Sequence, residues 1–197
     1  MKQVVASAYF PSLAYVRALL QQPDIAIDLH EHFVKQSIRT RAEILSSNGV
    51  IQLNLHILHN SSGKQTMQAL KIDYSKNWQA EHWRAIESAY ANAPYFEHYA
   101  HDIRAIFNQK YSYVYELNHS ILLWINQALG LELKIEWSPN YTGKASMDKK
   151  QWLGRSFNPT YAYQQVFSYK TEFIGNLSVL DGLFNEGPLL RNYCLPR

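Results

Sequence analysis

The period of the apolar positions changes several times along the chain, and each change predicts an element. Gln3 to Ala8 is short and apolar with β-branched Val4 and Val5, the pattern of a buried strand closed by a Tyr9-Phe10-Pro11 corner. In Ser12 to Gln21 the residues Leu13, Val16, Leu19 and Leu20 recur at helical spacing, and Pro23 stops the pattern before a second strand at Ile25 to Leu29. A strand, helix, strand opening favours a right-handed parallel crossover, with ligands expected at the carboxyl ends of the strands, near Tyr9 and Pro11 and around His30. Ile51 to Leu58 alternates apolar residues with Gln, Asn and His after the turn Ser47-Asn48-Gly49; beyond a loop at Asn60 to Gly63, Thr66 to Asp73 reads as a further strand. The period then becomes helical. Asn77 is placed to cap a helix carrying Trp83, Ile86 and Tyr90, Pro94 separates it from one burying Phe96, Ala100, Ile103 and Phe107, and a third runs from Val114 to Leu129 before Gly130. Leu131 to Trp137 predicts a strand and Tyr161 to Tyr169 one more. Ser178 and Asp181, at capping-box spacing, open a last helix that Asn185 through Pro188 terminate. This order predicts an α/β fold, a mostly parallel central sheet with helices on both faces, with α+β as the alternative. The chain is expected to form a single domain over residues 1–197 with a mobile loop at 138–160.

Composition narrows the function classes. With 47% apolar and 18% charged residues among 197, most of the chain folds. The longest apolar run, Ile121 to Ile125, is far short of the roughly 20 residues that cross a bilayer, so no membrane span is expected. The opening MKQVVASAYFPSLAY is broken by Tyr, Ser and Pro before a signal-peptide core forms, and the lone Cys194 agrees with a reducing compartment; the expected location is cytoplasmic. The formal charge of +3 is carried by Tyr141 to Arg155, where Lys144, Lys149, Lys150 and Arg155 face Asp148. That local excess is not the basic stripe of a nucleic-acid binder, so nucleic acid is not an expected partner. Fourteen tyrosines and five tryptophans complete the core or offer flat faces with polar tips to sugars and nucleotides.

The most informative local pattern is Lys35, Ser37, Arg39 and Arg41, because a spacing of two projects all four to one side of an extended chain. Three cations and a hydroxyl in a row suit a phosphate or carboxylate, and an anionic small molecule such as a nucleotide sugar is the expected ligand. The plainer alternative is a solvated basic surface partnered by Glu31 and Glu43. His30-Glu31-His32, with Asp28 in phase, is incomplete as a metal site, and His56 and His59 add no clear third ligand; no metal and no cofactor is expected. Neither a Gly-x-Ser-x-Gly elbow nor a Gly-rich phosphate loop occurs. Glu81 and His82 can serve as an acid–base pair at a pocket edge, or simply form the wet side of a helix.

Several segments together resemble the WbqC-like protein family, found in bacterial gene sets for cell-surface polysaccharide. The resemblance begins with Tyr9-Phe10-Pro11-Ser12-Leu13, continues through Lys35-Gln36-Ser37, Arg41 and Asn48-Gly49, and includes Trp78, His82, Tyr90, Pro94 and Phe96. Its most specific part is the tail, with Tyr163, Gln165, Val166 and Phe167, then Phe173, Ile174, Asn176-Leu177-Ser178, Asp181, Leu183-Phe184-Asn185 and Gly187-Pro188. The chain lacks the Gln-Pro that precedes Tyr-Phe-Pro in longer relatives, and residues 138–160 are too few for their extra strand and helix. The resemblance implies a role in O-antigen assembly, with transfer of a glycyl or similar acyl group onto a nucleotide-linked sugar as the reaction. A non-catalytic binding or scaffolding protein for polysaccharide enzymes is the rival. In the transferase reading His82 and Asp181 are catalytic, Lys35, Arg39 and Arg41 hold the anion, and Tyr9, Gln36, Tyr90, Tyr163, Gln165, Asn176 and Ser178 bind substrate.

Overall fold

The structure is a computed structural model that describes residues 2–21, 24–58, 63–142 and 162–194. The chain opens with strand β1 (Gln3–Val5), helix α1 (Leu13–Gln21) and strand β2 (Asp24–Ile27). β1 and β2 pair in parallel, Val4 opposite Ala26, as the opening pattern predicts. Arg41–Ser46 (β3) and Gly49–Asn54 (β4) form a separate antiparallel pair, with Leu45 opposite Val50. The two intervening residues leave no length for a crossover, so this turn dictates antiparallel pairing; Gly49 supplies the left-handed φ of 106°. Three helices follow, α2 (Trp78–Tyr90), α3 (Phe96–Asn108) and α4 (Val114–Ala128), and then strand β5 (Lys134–Trp137), which joins β2 in parallel. Helices α5 (Val179–Glu186) and α6 (Leu190–Cys194) close the described chain.

The fold is mixed α/β, with a parallel sheet in the order β1-β2-β5 and a separate hairpin. The expected single, mostly parallel central sheet is therefore corrected in part, because the strand read at 51–58 pairs with β3 and not with the parallel set. Thr66 to Asp73 is not a strand either. Met67 and Leu70, both fully buried, lie three apart, a spacing that a 3-10 turn over Met67–Ala69 satisfies and an alternating strand does not. In Tyr161 to Tyr169, residue 161 lies outside the described chain, 162–165 adopt no regular element and 166–170 are turns. The alternation is real, since Tyr163, Gln165 and Phe167 all point inward. What occupies the ladder is a side chain: the Gln165 amide donates to the Ile174 carbonyl (2.9 Å) and accepts from its N–H (3.0 Å). Of the expected mobile loop, 143–160 lies outside the described residues, as does the basic excess it carries.

The opening corner and the tail are stitched together. Leu13 N–H donates to the Leu177 carbonyl (3.0 Å), Val179 N–H to the Pro11 carbonyl (2.7 Å) and the Ser178 hydroxyl to the Phe10 carbonyl (2.9 Å). Asn176 caps α1 from outside the helix, its Oδ1 accepting from Ala14 N–H at 3.0 Å. Both sides bend to make these contacts, for Phe10 and Asn176 have φ of 35° and 57°. Beneath them Phe10 meets Phe107 and Trp124 edge-on, and Leu13, Val16, Leu180 and Leu183 share one core.

Candidate functional site

Three parallel strands end on one edge, and the residues just beyond them are polar and buried. Ser7, two residues past β1, is 3% exposed, and Asp28, one past β2, is 1% exposed. Asp28 Oδ1 accepts from His30 N–H (2.9 Å), while Oδ2 accepts from the Thr142 N–H (2.9 Å) and hydroxyl (2.7 Å) beyond β5. Helix α4 adds Asn118, 2% exposed, whose Nδ2 donates to the Ser7 hydroxyl and the Arg39 carbonyl, both at 2.9 Å. Asn118 Oδ1 is buried without a partner among the described residues. Around it Ser7, Pro11, Tyr15, Ile27 and Leu122 enclose a crevice of about 10 Å³, about the volume of one water. In a parallel sheet this is the edge where ligands bind, because strand ends and the loops after them leave a gap that helices do not cover.

Arg39 reaches this edge, since Ile38 accepts from Tyr9 N–H (2.8 Å) and ties its segment to the opening corner. The row of cations predicted from an extended chain does not form, however. Residues 35–40 are turns and a bend, and Gln36 has φ of 56°. Arg39 is 5% exposed and its guanidinium grips Glu31 with two donors, Nε at 2.7 Å and Nη2, while Nη1 lies 3.4 Å from the Ser37 hydroxyl. Lys35 and Gln36 are exposed and Arg41 is half-buried in β3. Among the described residues neither Lys35 nor Arg41 forms an ion pair. The Glu31 partner expected of a solvated surface is thus present, but the pair is buried, where desolvation costs several kcal/mol per ion before attraction returns it.

His82 and Asp181 lie elsewhere. Trp78 and Phe107 pack edge-on to the His82 ring, whose Nδ1 lies 2.7 Å from the Tyr9 hydroxyl. The Asn54 carbonyl also faces the ring, and which of the Tyr9 hydroxyl and Nδ1 donates follows the tautomer. Burial pushes His82 down to about 4, against the smaller opposing effect of the Asn54 bond. Neutral, and with both nitrogens engaged, the imidazole is a structural tie between the corner and α2. Asp181 is fully buried at the start of α5. Its Oδ1 accepts from the Tyr90 hydroxyl (2.9 Å) and its Oδ2 from the Tyr163 hydroxyl (2.5 Å) and the Gln165 amide (2.8 Å). Tyr90 in turn accepts from Leu45 N–H at 3.0 Å. Burial raises the Asp181 carboxyl above its usual range while the three donors pull the other way, and burial lifts Tyr90 and Tyr163 well above theirs. The capping-box spacing of Ser178 and Asp181 accordingly yields half a box: the Ser178 hydroxyl caps Leu180 N–H (3.3 Å), and the acidic side chain turns inward.

Of the residues named from sequence, Tyr9 with His82, and Tyr90, Tyr163 and Gln165 with Asp181, come together in the core. Asn176 and Ser178 hold the corner, and Lys35, Gln36 and Arg41 join neither group. Sequence reasoning missed Ser7, Asn118 and Thr142. The one available signal was Asn118, an amide within the apolar face Leu117, Ile121, Leu122 and Ile125 of α4, where Asn is unfavourable unless it has buried work to do. No group of three His, Cys, Asp or Glu able to hold a metal is found among the described residues, and no helix there is long and apolar enough to cross a membrane.

Comparison with curated proteins and with solved structures returns no match. A sequence model of the WbqC-like protein family matches residues 6–155, a span that includes Tyr9, the 35–41 segment, His82 and Tyr90 and ends before the tail that carries Tyr163, Gln165, Asn176, Ser178 and Asp181. With the match covering well over half of the chain, from the end of β1 through β5, this protein belongs to the WbqC-like protein family.

Proposed function

We propose that this chain is a transferase of bacterial cell-surface polysaccharide assembly, of the O-antigen type, that works in the cytoplasm on a nucleotide-linked sugar at the carboxyl edge of the parallel sheet. The observation that carries the reading is the buried polar cluster there: a desolvated Arg39–Glu31 pair and Asn118, with an unpartnered acceptor, beside Ser7 at the strand ends. Such a cluster costs stability unless it orients groups toward a ligand. Arg39 then presents its loosely held Nη1 edge to a phosphate, and Arg41 and Lys35 add charge from outside. In the reaction a sugar amine attacks the carbonyl of an activated glycyl ester or thioester. An amide bond forms, the bond to the donor oxygen or sulfur breaks, and that alcohol or thiol leaves with the proton the amine gives up. His82 and Asp181 support the walls in this reading, because each already has a full set of partners.

The burial of those two groups favours a second reading, in which the chain binds the same nucleotide sugar without transferring anything. Thermal shift against a panel of nucleotide-linked amino sugars tests the common premise, since a ligand of the native state raises Tm by mass action. The expected result is a rise with at least one of them, lost in Arg41→Gln, whose half-exposed side chain can be changed without unfolding the chain. No rise with any nucleotide sugar refutes both readings. Binding without product from a glycyl thioester in a reconstituted assay refutes the transferase alone.

A further inference from the structure

A second cavity lies away from the carboxyl edge, where the C-terminal end of α5, the α2–α3 turn and residues 164–169 meet. It holds about 460 Å³ and shares no lining residue with the crevice around Asn118. Small-molecule sites run from roughly 300 to 1,000 Å³, so a sugar ring or two fits. Its walls are fixed by the buried network behind it. Asn185 donates from Nδ2 to the Asp181 carbonyl at 2.7 Å, while its Oδ1 takes no hydrogen bond from the described residues. Tyr95 N–H donates to the Phe184 carbonyl (2.9 Å), and Gly187, at φ 57°, lets the Tyr95 ring lie where a Cβ would stand 2.6 Å from it. The helix end and the turn are thereby locked together.

The lining chemistry is selective. Asn92, Gln164 and Asn185 contribute amides, Glu186 contributes the sole carboxylate among the lining residues, and Tyr169, 81% exposed, contributes a flat ring at the rim. The Tyr193 hydroxyl faces Glu186. Among the described residues the lining holds no lysine or arginine. Amides both donate and accept, as sugar hydroxyls do; a carboxylate accepts from two neighbouring hydroxyls; and an aromatic face covers the C–H face of a pyranose. An anionic sugar would find no counter-charge among the described lining residues and would meet Glu186.

We propose that this cleft is a binding site for a neutral saccharide, with Tyr169 stacked on the ring and Asn92, Gln164, Asn185 and Glu186 exchanging hydrogen bonds with its hydroxyls. The site is independent of the carboxyl-edge reading and does not need it. The test is calorimetry on the full chain with the methyl glycosides of glucose, galactose, rhamnose and N-acetylglucosamine, with glucose 1-phosphate as the charged comparison. At least one neutral glycoside should bind. Tyr169→Ala and Gln164→Ala, both at exposed positions, should leave Tm unchanged, and the loss of the aromatic face should weaken binding roughly three- to tenfold. Arg41→Gln should leave glycoside affinity untouched. The proposal is overturned if no glycoside binds at high millimolar concentration, if Tyr169→Ala binds as well as the unaltered chain, or if glucose 1-phosphate binds more tightly than the neutral sugars.

Discussion

Protonation of His82 should be a measurable source of acid instability. In the fold its titration is pushed from 6.5 down to about 4, first by burial among Trp78, Phe107 and Tyr9. A depressed histidine gives stability that is complete above the unfolded value and is lost as pH falls through 6.5 toward about 4. The loss approaches about 1.4 kcal/mol per pH unit inside that window, and integrating between about pH 7.5 and pH 5 gives about 2 kcal/mol. The geometry explains the penalty. With both ring nitrogens protonated the imidazolium can only donate, so the Tyr9 hydroxyl 2.7 Å from Nδ1 has to accept, and its O–H is left to aromatic rings that cannot accept it well. His82→Gln isolates the effect, because glutamine has an acceptor for Tyr9 and a donor for the Asn54 carbonyl but no titration. Urea unfolding of both proteins at the two pH values, with m held common, reads the difference. The unaltered chain should lose about 2 kcal/mol more than His82→Gln on acidification, since the carboxylates they share cancel. Equal losses would refute a buried neutral imidazole.

Arg39→Met should cost about 3–5 kcal/mol by leaving Glu31 buried without its partner, and adding Glu31→Gln should recover part of that; strictly additive costs in denaturant titrations would show that the pair is not coupled. Asn176→Ala removes the cap on Ala14 and places alanine at φ 57°, so it should lose about 2 kcal/mol, whereas Asn176→Gly should lose about 1 because glycine adopts that φ without strain. Equal Tm values for the two variants would contradict that split. Tyr90→Phe strands the Leu45 N–H and removes a bond to Asp181, for an expected loss of about 2–4 kcal/mol; a loss under about 0.5 kcal/mol would mean that the network does not hold the hairpin to α5.

The helices were the legible part of the fold, because the face of each is decided by its own residues: Phe96, Ile103 and Phe107, spaced seven and four apart, fall on one helical face and all three are buried. The parallel opening was legible for the same reason, two short apolar runs around one helical pattern. Pairing partners were not, since period two announces an extended segment but not its neighbour. The alternation at Tyr163, Gln165 and Phe167 is matched by burial, yet its backbone partner is replaced by a glutamine side chain. The site divides along the same line. Arg39 is expected from the sequence to hold an anionic ligand, and in the fold its guanidinium grips Glu31, eight residues earlier in the chain. Asn118 and Ser7 are 111 residues apart and meet only through the fold.

The tail residues explain why a family resemblance and a functional site need not coincide. The family match ends at 155, but the matched part does not satisfy its own backbone. Leu13 and Ala14 N–H at the start of α1 are met by Leu177 and Asn176, the Phe10 and Pro11 carbonyls by Ser178 and Val179, and the Glu43 carbonyl by Ser178 N–H. Tyr90, on α2, finds its acceptor on Asp181. Most of these groups are buried, with Ala14 and Glu43 half-buried, and an unmet buried one costs about 1–3 kcal/mol. Asn176-Leu177-Ser178 is therefore the complement of the Phe10-Pro11 corner and the start of α1: the Leu177 carbonyl and the Ser178 and Val179 N–H groups act through the main chain, while the Asn176 amide and the Ser178 hydroxyl contribute through their side chains. Such bonds hold the fold together whether or not a substrate ever touches these residues. Asn118 differs from these tail residues: its buried Oδ1 at the carboxyl edge takes no hydrogen bond from the described residues, so no contact among them accounts for that atom.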